Sequence, residues 1–490
     1  MSHKAKYLFF LLAVLLSSCN LIIINPDDTK QHSDTIPEQK EDSIDTRTPD
    51  QRRNPDYLYD LDAVPEIIIT ITEENWNIYL DNFDRNPNND DYLPAQFEFR
   101  KNDDVFKRDS VGLRPRGNTS RRRPEGYTGE RHNRNNPDWH HAHFGIRFTK
   151  YATGERFFGS DRMVLKWFNN DPSYCREVFC YDLFRRFGCW CAPRSSYCRL
   201  YLHVEGDNKP AYFGVYQMVE GVRSGYLDDR KKDGLIPDND GNLWKAGYGK
   251  GIADLSDFNN TGTGKMGISD DYNDYSYSLK TNKKTGLEAA KQELYNFMEN
   301  MRPLQSGSDA LKQYLEQNMY VDQFLRALAV NVAVGMWDDY WINGNNYYFY
   351  FDLTHRFLFI PYDYDNTLGT NGLISNAGTQ NPMQWGSRGA DRMLVRKVLS
   401  IAEYENTYKQ YLKQIVAETE LIQPDAAIAR VKSFQQLVSP YIDNDTHEDT
   451  SVSDRSAPWG DIGYRLLSGN DSGNYDSNFF RTKAQVINKL

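Results

Sequence analysis

The sequence predicts an α+β chain in two lobes. Three features predict it. Apolar runs with strand character, broken by one long helix, fill the first part; residues at helical spacing fill the last part; one strand pair stands between them.

The elements follow in order. Ile67, Ile68, Ile69, Thr70 and Ile71 are β-branched and read as a buried strand, and Thr72 with Glu73, Glu74, Asn75 and Trp76 reads as a helix start. Gln96 to Phe99 and Phe144 to Phe148 alternate, and Met163 to Trp167 is a further strand candidate. Asp171 is a good N-cap and Pro172 suits a first helical position, so the helix is expected to open there, run to Phe187 and stop at Gly188. Leu200 to Val204, a turn at Gly206-Asp207-Asn208 and Tyr212 to Val219 form a hairpin. Residues 223–285, dense in Asp, Asn, Gly, Lys and Tyr, read as loop. Helical spacing returns at Leu287 to Met301 and Val321 to Val334. Tyr347 to Phe351 and Phe357 to Ile360 form a second hairpin. Beyond it Tyr404, Tyr408, Tyr411, Leu412 and Ile415 share one helix face, as do Ile428, Val431, Phe434 and Val438.

The N-terminus reads as an address. Lys4 and Lys6 precede an apolar run, Tyr7 to Leu16, too short for the roughly 20 residues of a membrane span. It ends in Leu16-Ser17-Ser18-Cys19, which resembles a bacterial lipobox with Cys19 acylated. Residues 1–18 are then a signal peptide and 19–56 a lipidated, disordered tether rich in Asp, Thr, Gln and Pro. Residues 57–490 are the folded part, with lobes at about 57–222 and 223–490. This predicts a cell-envelope lipoprotein, periplasmic or outer-membrane anchored, touching membrane through its lipid alone. The 58 basic and 68 acidic residues give a net charge of −10, which argues against nucleic acid as a partner. A mean hydropathy of −0.73 argues against a polytopic membrane protein. Cys175, Cys180, Cys189, Cys191 and Cys198 contain no Cys-x-x-Cys pair and read as buried thiols with room for one disulfide.

The chemistry concentrates after residue 336. Trp337-Asp338-Asp339-Tyr340-Trp341-Ile342-Asn343-Gly344-Asn345-Asn346 enters the second hairpin, and Tyr362-Asp363-Tyr364-Asp365-Asn366 leaves it. A tight hairpin brings its two ends together, so four carboxylates and several carboxamides converge. That crowding of like charge calls for a cation, and oxygen ligands select Mg²⁺, Mn²⁺ or Ca²⁺ over zinc. The order parallels the catalytic loop and metal-holding Asp of a protein kinase, and Asp338 to Asn343 has the kinase spacing. Two solvated turns explain the same residues. Glu177 is placed to be the helix Glu, with Lys166 or Lys150 as its partner. No G-x-G-x-x-G loop is present; Arg114 to Arg121 comes nearest, with one Gly and a run of Arg able to meet phosphates.

Several segments together resemble the spore-coat protein H (CotH) kinase family. They are Arg116-Gly117-Asn118-Thr119-Ser120, Asp171 to Glu177, Phe213 to Glu220, Asn242-Leu243-Trp244-Lys245, Trp337-Asp338, Asn346 to Tyr350 and Ile360 to Asp365. The resemblance implies an atypical protein-kinase-like fold using ATP and Mg²⁺ or Mn²⁺ to phosphorylate Ser/Thr of exported proteins. It implies Asp338 as catalytic base with Asp339 as fallback, and Asn346 and Asp363 as metal ligands assisted by Asp365. It implies Glu177 as the helix Glu and Phe213 to Glu220 as the strand beside the adenine. The nucleotide-contacting set is then Arg116, Arg147, Lys166, Glu177 and Glu220. Where relatives often carry a Lys before the strand at Phe144, this chain has His140-His141-Ala142-His143, so the phosphate-pairing cation stays open between Arg147 and Lys166. The rival reading is a catalytically weak pseudokinase or a glycan- or protein-binding surface lipoprotein, suited to 33 Tyr and 9 Trp.

Overall fold

The structure is a computed structural model describing residues 54–442 and 478–490, except 137–138, 153, 170, 172, 249–250, 257–264, 270–273, 283–285, 371, 375–376 and 386–391. The signal peptide, Cys19 and most of the expected tether lie outside the described residues. Order begins before Tyr57: Asn54 accepts from Asp56 N–H at 2.9 Å and caps a short helix, α1 (Pro55–Tyr59).

β1 (Glu66–Ile71) leads into α2 (Glu73–Arg85), where the Thr72 hydroxyl accepts from Asn75 N–H at 3.2 Å, as the sequence predicts. Then come β2 (Leu93–Lys101), β3 (Asp104–Arg116), β4 (His143–Arg147) and β5 (Arg162–Trp167). Helix α3 (Arg176–Arg186) precedes β6 (Ser195–Val204) and β7 (Ala211–Glu220). The seven strands close into a barrel in the order β1-β2-β3-β4-β5-β7-β6, sealed by parallel pairing of β1 with β6. Closure removes both sheet edges. Ile67, Ile69, Phe97, Phe99, Phe144 and Leu200 fill the interior. Alternation along β5 and β7 gives their other face to a second core: Leu165 and Met218 point in, Val164 and Val219 point out.

That second core holds α4 (Ser224–Lys232), β8 (Asn242–Ala246), β9 (Met266–Gly267), β10 (Tyr277–Leu279), α5 (Leu287–Met301), α6 (Asp309–Asn318) and α7 (Val321–Ala333). It continues through β11 (Tyr347–Phe351), β12 (Phe357–Pro361), α8 (Met393–Leu399), α9 (Ala402–Ala417), α10 (Pro424–Val438) and α11 (Phe479–Ile487). Its sheet runs β12-β11-β8-β10-β9. The α+β class therefore holds. Segment 223–285, expected to be loop, instead contributes α4 and β8 to β10.

Helix α3 also differs from expectation. It opens at Arg176, after Cys175, and not at Asp171. Asp171 still feeds the helix start from a distance: its carboxylate accepts Arg176 N–H at 3.0 Å and Ser173 N–H at 3.1 Å, and pairs with the Arg176 guanidinium. Residues Arg176 to Phe184 are all buried, so α3 lies wedged between the barrel and the helices. This wedge is what buries Glu177. All five described cysteines are buried, free thiols.

Candidate functional site

Strand β5 carries Lys166 across from Gln217 of β7 and directs it outward beneath α3. Its ammonium donates to the Glu177 carboxylate and to Asp363 Oδ1 at 2.5 Å, and lies 3.6 Å from Asp365 Oδ2. Burial alone would depress Lys166, but Asp363, Glu177 and Asp365 outweigh it and hold it well above the usual lysine range. Burial pushes Glu177 up in spite of the ammonium, with Asp363 adding to the rise. Asp363 goes the other way: burial is overcome by Lys166, Arg116 and Lys245, and the carboxyl is held below its ordinary value. Of the two lysines open as partners of Glu177, Lys166 makes the pair. Lys150 instead lies over the rings of Tyr92 and Tyr151.

The two acidic loops meet. Register pairs Tyr347 with Pro361, so Asn346 and Asp363 sit at the same end of the hairpin. Both adopt left-handed backbone, φ 54° and 65°, a strain that Asn and Asp tolerate best and that concentrates at functional sites. Asp338 is ringed by amides: Asn343 donates to Oδ1 at 2.6 Å, Asn346 to Oδ2 at 3.0 Å and to the main-chain oxygen at 2.9 Å, and Asn345 lies at 3.4 Å. Asn366, from the second loop, reaches Asp338 Oδ2 at 3.4 Å and ties the loops together. Both candidate amides, Asn343 and Asn346, thus touch the same carboxylate. Burial pushes Asp338 up, partly offset by these donors.

Asp339 does not reach that mouth. It is 5% exposed, accepts from Ile342 N–H at 3.0 Å and Asn331 Nδ2 at 2.6 Å, and burial lifts it to about 6. It shapes the loop. Asn331 also accepts from the Tyr364 hydroxyl at 3.1 Å, and Tyr364 N–H donates to Glu177 at 3.2 Å. One chain of bonds therefore runs Lys166–Glu177–Tyr364–Asn331–Asp339. Asp365, its side chain 44% exposed, is pushed up by desolvation and by Asp363, Glu177 and Asp338, against Lys166.

The remaining expectations divide. Arg116, at the end of β3, bonds the Tyr362 hydroxyl beside Asp363. Arg147 lies at the far end of β4, paired in register with Gly112 and Arg162, away from Lys166. Glu220 is consumed by structure: Arg230 holds it at 2.6 and 2.9 Å and Arg194 at 3.1 Å, so its expected nucleotide contact is not supported. Its neighbours Gly221, Val222 and Arg223 line the adjoining cleft in its place. Arg121 and Arg123 are likewise committed, to Asp90 at 2.8 Å and Asp84 at 2.9 Å, and are not available to phosphates.

Sequence reasoning missed three contributors. His143 accepts Trp167 N–H on Nδ1 at 3.1 Å, which leaves Nε2 protonated and 3.0 Å from Ser120 Oγ. Burial and Lys166 drive it well below the usual imidazole range, so it stays neutral and pins the Gly117–Ser120 turn over the site. Lys245 of β8 lies over Tyr348 and Tyr362 at 5.9 and 6.0 Å, and is lowered by burial and Arg116. Arg392 donates to the carbonyls of Tyr340, Trp341 and Ile342 at 2.8–3.1 Å and clamps the Asp338 loop from behind. Lys245 stood within a motif and His143 within the His140-His141-Ala142-His143 run, which carried a signal; Arg392 had none.

Among the described residues no three His, Cys, Asp or Glu side chains form a metal cage. Mg²⁺ in nucleotide sites needs only one or two carboxylates plus phosphate oxygens. Asp363, Asp365 and Asn346, crowded with oxygen donors, fit that pattern.

The CotH kinase protein family matches residues 113–475. Two relatives from Rhizopus delemar are similar over 262 residues: a spore coat protein homolog 1 at 21% identity and an invasin CotH7 at 22%. Each match covers 52% of this chain, and the chain spans 38% and 39% of the relatives' lengths.

Proposed function

The chain belongs to the CotH kinase family, and on that premise we propose that it is a phosphotransferase working between the barrel and the helical body, which we read as the two lobes of a kinase-like fold. The co-substrate is ATP with Mg²⁺ or Mn²⁺, and the acceptor is a Ser/Thr hydroxyl of an exported protein. The observation that carries this reading is Lys166 bonded at once to Glu177 and Asp363, with Asn366 joining the second loop to Asp338.

Each residue has a distinct task. Lys166, steadied by Glu177, presents its ammonium to phosphate oxygens once they displace Asp363. Asp363 and Asn346, assisted by Asp365, would hold a divalent ion, which when bound would supply charge neutralisation to the transferred group. Asp338 accepts a hydrogen bond from the acceptor hydroxyl and orients its lone pair; the ring of amides keeps the carboxylate aimed. Arg116 and the turn held by His143 close the phosphate side. Little covalent work falls to the protein, and positioning with electrostatics carries the rate. An envelope-tethered location, resting on Cys19 and its leader, matches an exported acceptor. The test is incubation of the purified protein with labelled ATP and Mn²⁺: transfer that vanishes in Asp338→Ala supports the reading, and absence of transfer in the wild type removes it.

A further inference from the structure

Residues 334–337 lead from α7 into the Asp338 loop, and each is gripped from outside. Leu368 N–H donates to the Val334 carbonyl at 2.8 Å. Gly335, at φ 71°, leaves no room for a side chain: a Cβ there would sit 3.0 Å from the Phe479 ring and 3.2 Å from Ala377 Cβ. The Trp385 indole N–H donates to the Met336 carbonyl at 2.9 Å. The Trp337 indole N–H donates to Thr370 Oγ1 at 3.0 Å, and its ring fills the space beside Gly372. Phe479 belongs to α11; the other grips come from the stretch that follows Asp365. The two acidic loops are thus joined a second time, behind the site.

That stretch has its own anchor. Lys483 of α11 is 0% exposed, donates to the Ala377 carbonyl at 2.6 Å, and lies over the rings of Trp385 at 4.5 Å and Phe479 at 5.9 Å. One side chain therefore touches the grips on both Gly335 and Met336. No carboxylate pairs with it among the described residues, and burial alone lowers it, to about 7. A buried lysine without an acid costs stability that a methionine of similar length would not. Such breaches of the packing rules are expected where function needs them. Phe480, next to Phe479 on α11, packs on Phe179 of α3 at 5.4 Å, so the same helix also braces the element that carries Glu177. Helix α11 begins at Phe479, past residue 475 where the family match ends, so family membership says nothing about it.

We propose that Lys483 is a positioning residue for phosphotransfer: through the Ala377 carbonyl and the Trp385 ring it holds residues 334–337, and with them the Asp338 carboxylate, in place. This rests on the function proposed above, in which Asp338 orients the acceptor hydroxyl. A loosened grip moves Asp338 and leaves the Lys166–Glu177 pair as it is, so it lowers kcat and spares the binding of ATP.

Lys483→Met and Trp385→Phe are compared with wild type in the full chain. The first removes the amine and keeps the stem; the second removes the donor to Met336 and keeps a ring. In each, hydrogen exchange over residues 334–338 is expected to quicken about tenfold, the loss of one buried bond, while the barrel strands keep their protection. Labelled-ATP transfer with Mn²⁺ is expected to show kcat down about five- to tenfold and KM for ATP within about twofold. Losses in the double variant are expected to fall short of the sum, since both act on one grip. Lys483→Met is expected to melt no lower than wild type at pH 7, because it sheds the cost of the buried amine; a merely structural lysine would lower melting and kcat together. Absence of transfer by wild type overturns the function proposed above, and exchange then decides whether Lys483 holds residues 334–337. Exchange at the wild-type rate over 334–338 in either variant, loss of protection throughout the chain, or an unchanged kcat beside measurable transfer overturns the role of Lys483.

Discussion

Replacing Glu177 by Gln separates the two roles of a buried ion pair. Glu177 is 3% exposed, accepts from Lys166 and takes Tyr364 N–H at 3.2 Å. Gln keeps an acceptor for Tyr364 and loses the charge. The lost charge-assisted bond is worth about 1.5–3 kcal/mol. Against it stands the desolvation that raises Glu177, which favours the protonated form in the folded state. With the folded value raised, stability declines as pH rises from the ordinary carboxylate range toward that value. The substitution removes that penalty. Lys166 also keeps Asp363 at 2.5 Å, so no ammonium is left bare. The opposing terms nearly cancel, and unfolding free energy is expected to change by less than about 1 kcal/mol. Activity should not be spared. Without Glu177, Lys166 settles on Asp363, the carboxylate proposed to hold the metal. A loss of about 1.5–3 kcal/mol of transition-state stabilisation is roughly a 10- to 150-fold fall in kcat/KM. Chemical denaturation and labelled-ATP transfer read the two effects. Collapse of the fold, or turnover equal to wild type, refutes the reasoning.

Further outcomes follow from the same geometry. Asp338→Asn is expected to cut transfer by about 10²–10⁴-fold while leaving ATP affinity unchanged, measured by single-turnover kinetics and calorimetry. Arg392→Met strips donors from three buried carbonyls and should cost about 3 kcal/mol in denaturant unfolding and lower kcat through the loosened Asp338 loop. His132 is bracketed by Glu125 at 2.8 and 2.9 Å and Asp207 at 2.9 Å; burial opposes its charge, but these acids raise it. Its contribution is therefore complete below about pH 6.5 and fades as pH climbs through the raised folded value. Melting curves from pH 6 to 9 should fall in the wild type and flatten in His132→Gln.

What the sequence reveals depends on how local each interaction is. Leu287–Met301 and Tyr347–Phe351 match their elements because periodicity alone encodes them. The faces Tyr404–Ile415 and Ile428–Val438 point to the core for the same reason. Strand β3 escaped because its first half alternates charged residues at a half-exposed barrel wall, leaving only Val111 to Pro115 buried. β8 to β10 are two to five residues long, and only β8 reaches β11, far along the chain, while β10 pairs with β8 and β9. The acidic loops were legible since a hairpin must close. The Lys166–Glu177 pair was open between two lysines until the barrel fixed which one faces α3. Glu220 misled because two arginines, 26 and 10 residues away, claim its carboxylate. Arg392 and His143 act across distances that no local pattern records.

Under the proposed function, Asp363 would hold a divalent ion with its triphosphate beside Asp338. Electron paramagnetic resonance of Mn²⁺ with ATP tests it directly. The account predicts that wild type and Asp338→Asn immobilise Mn²⁺·ATP alike, and that Asp363→Asn loses this signal. Undiminished immobilisation by Asp363→Asn contradicts it.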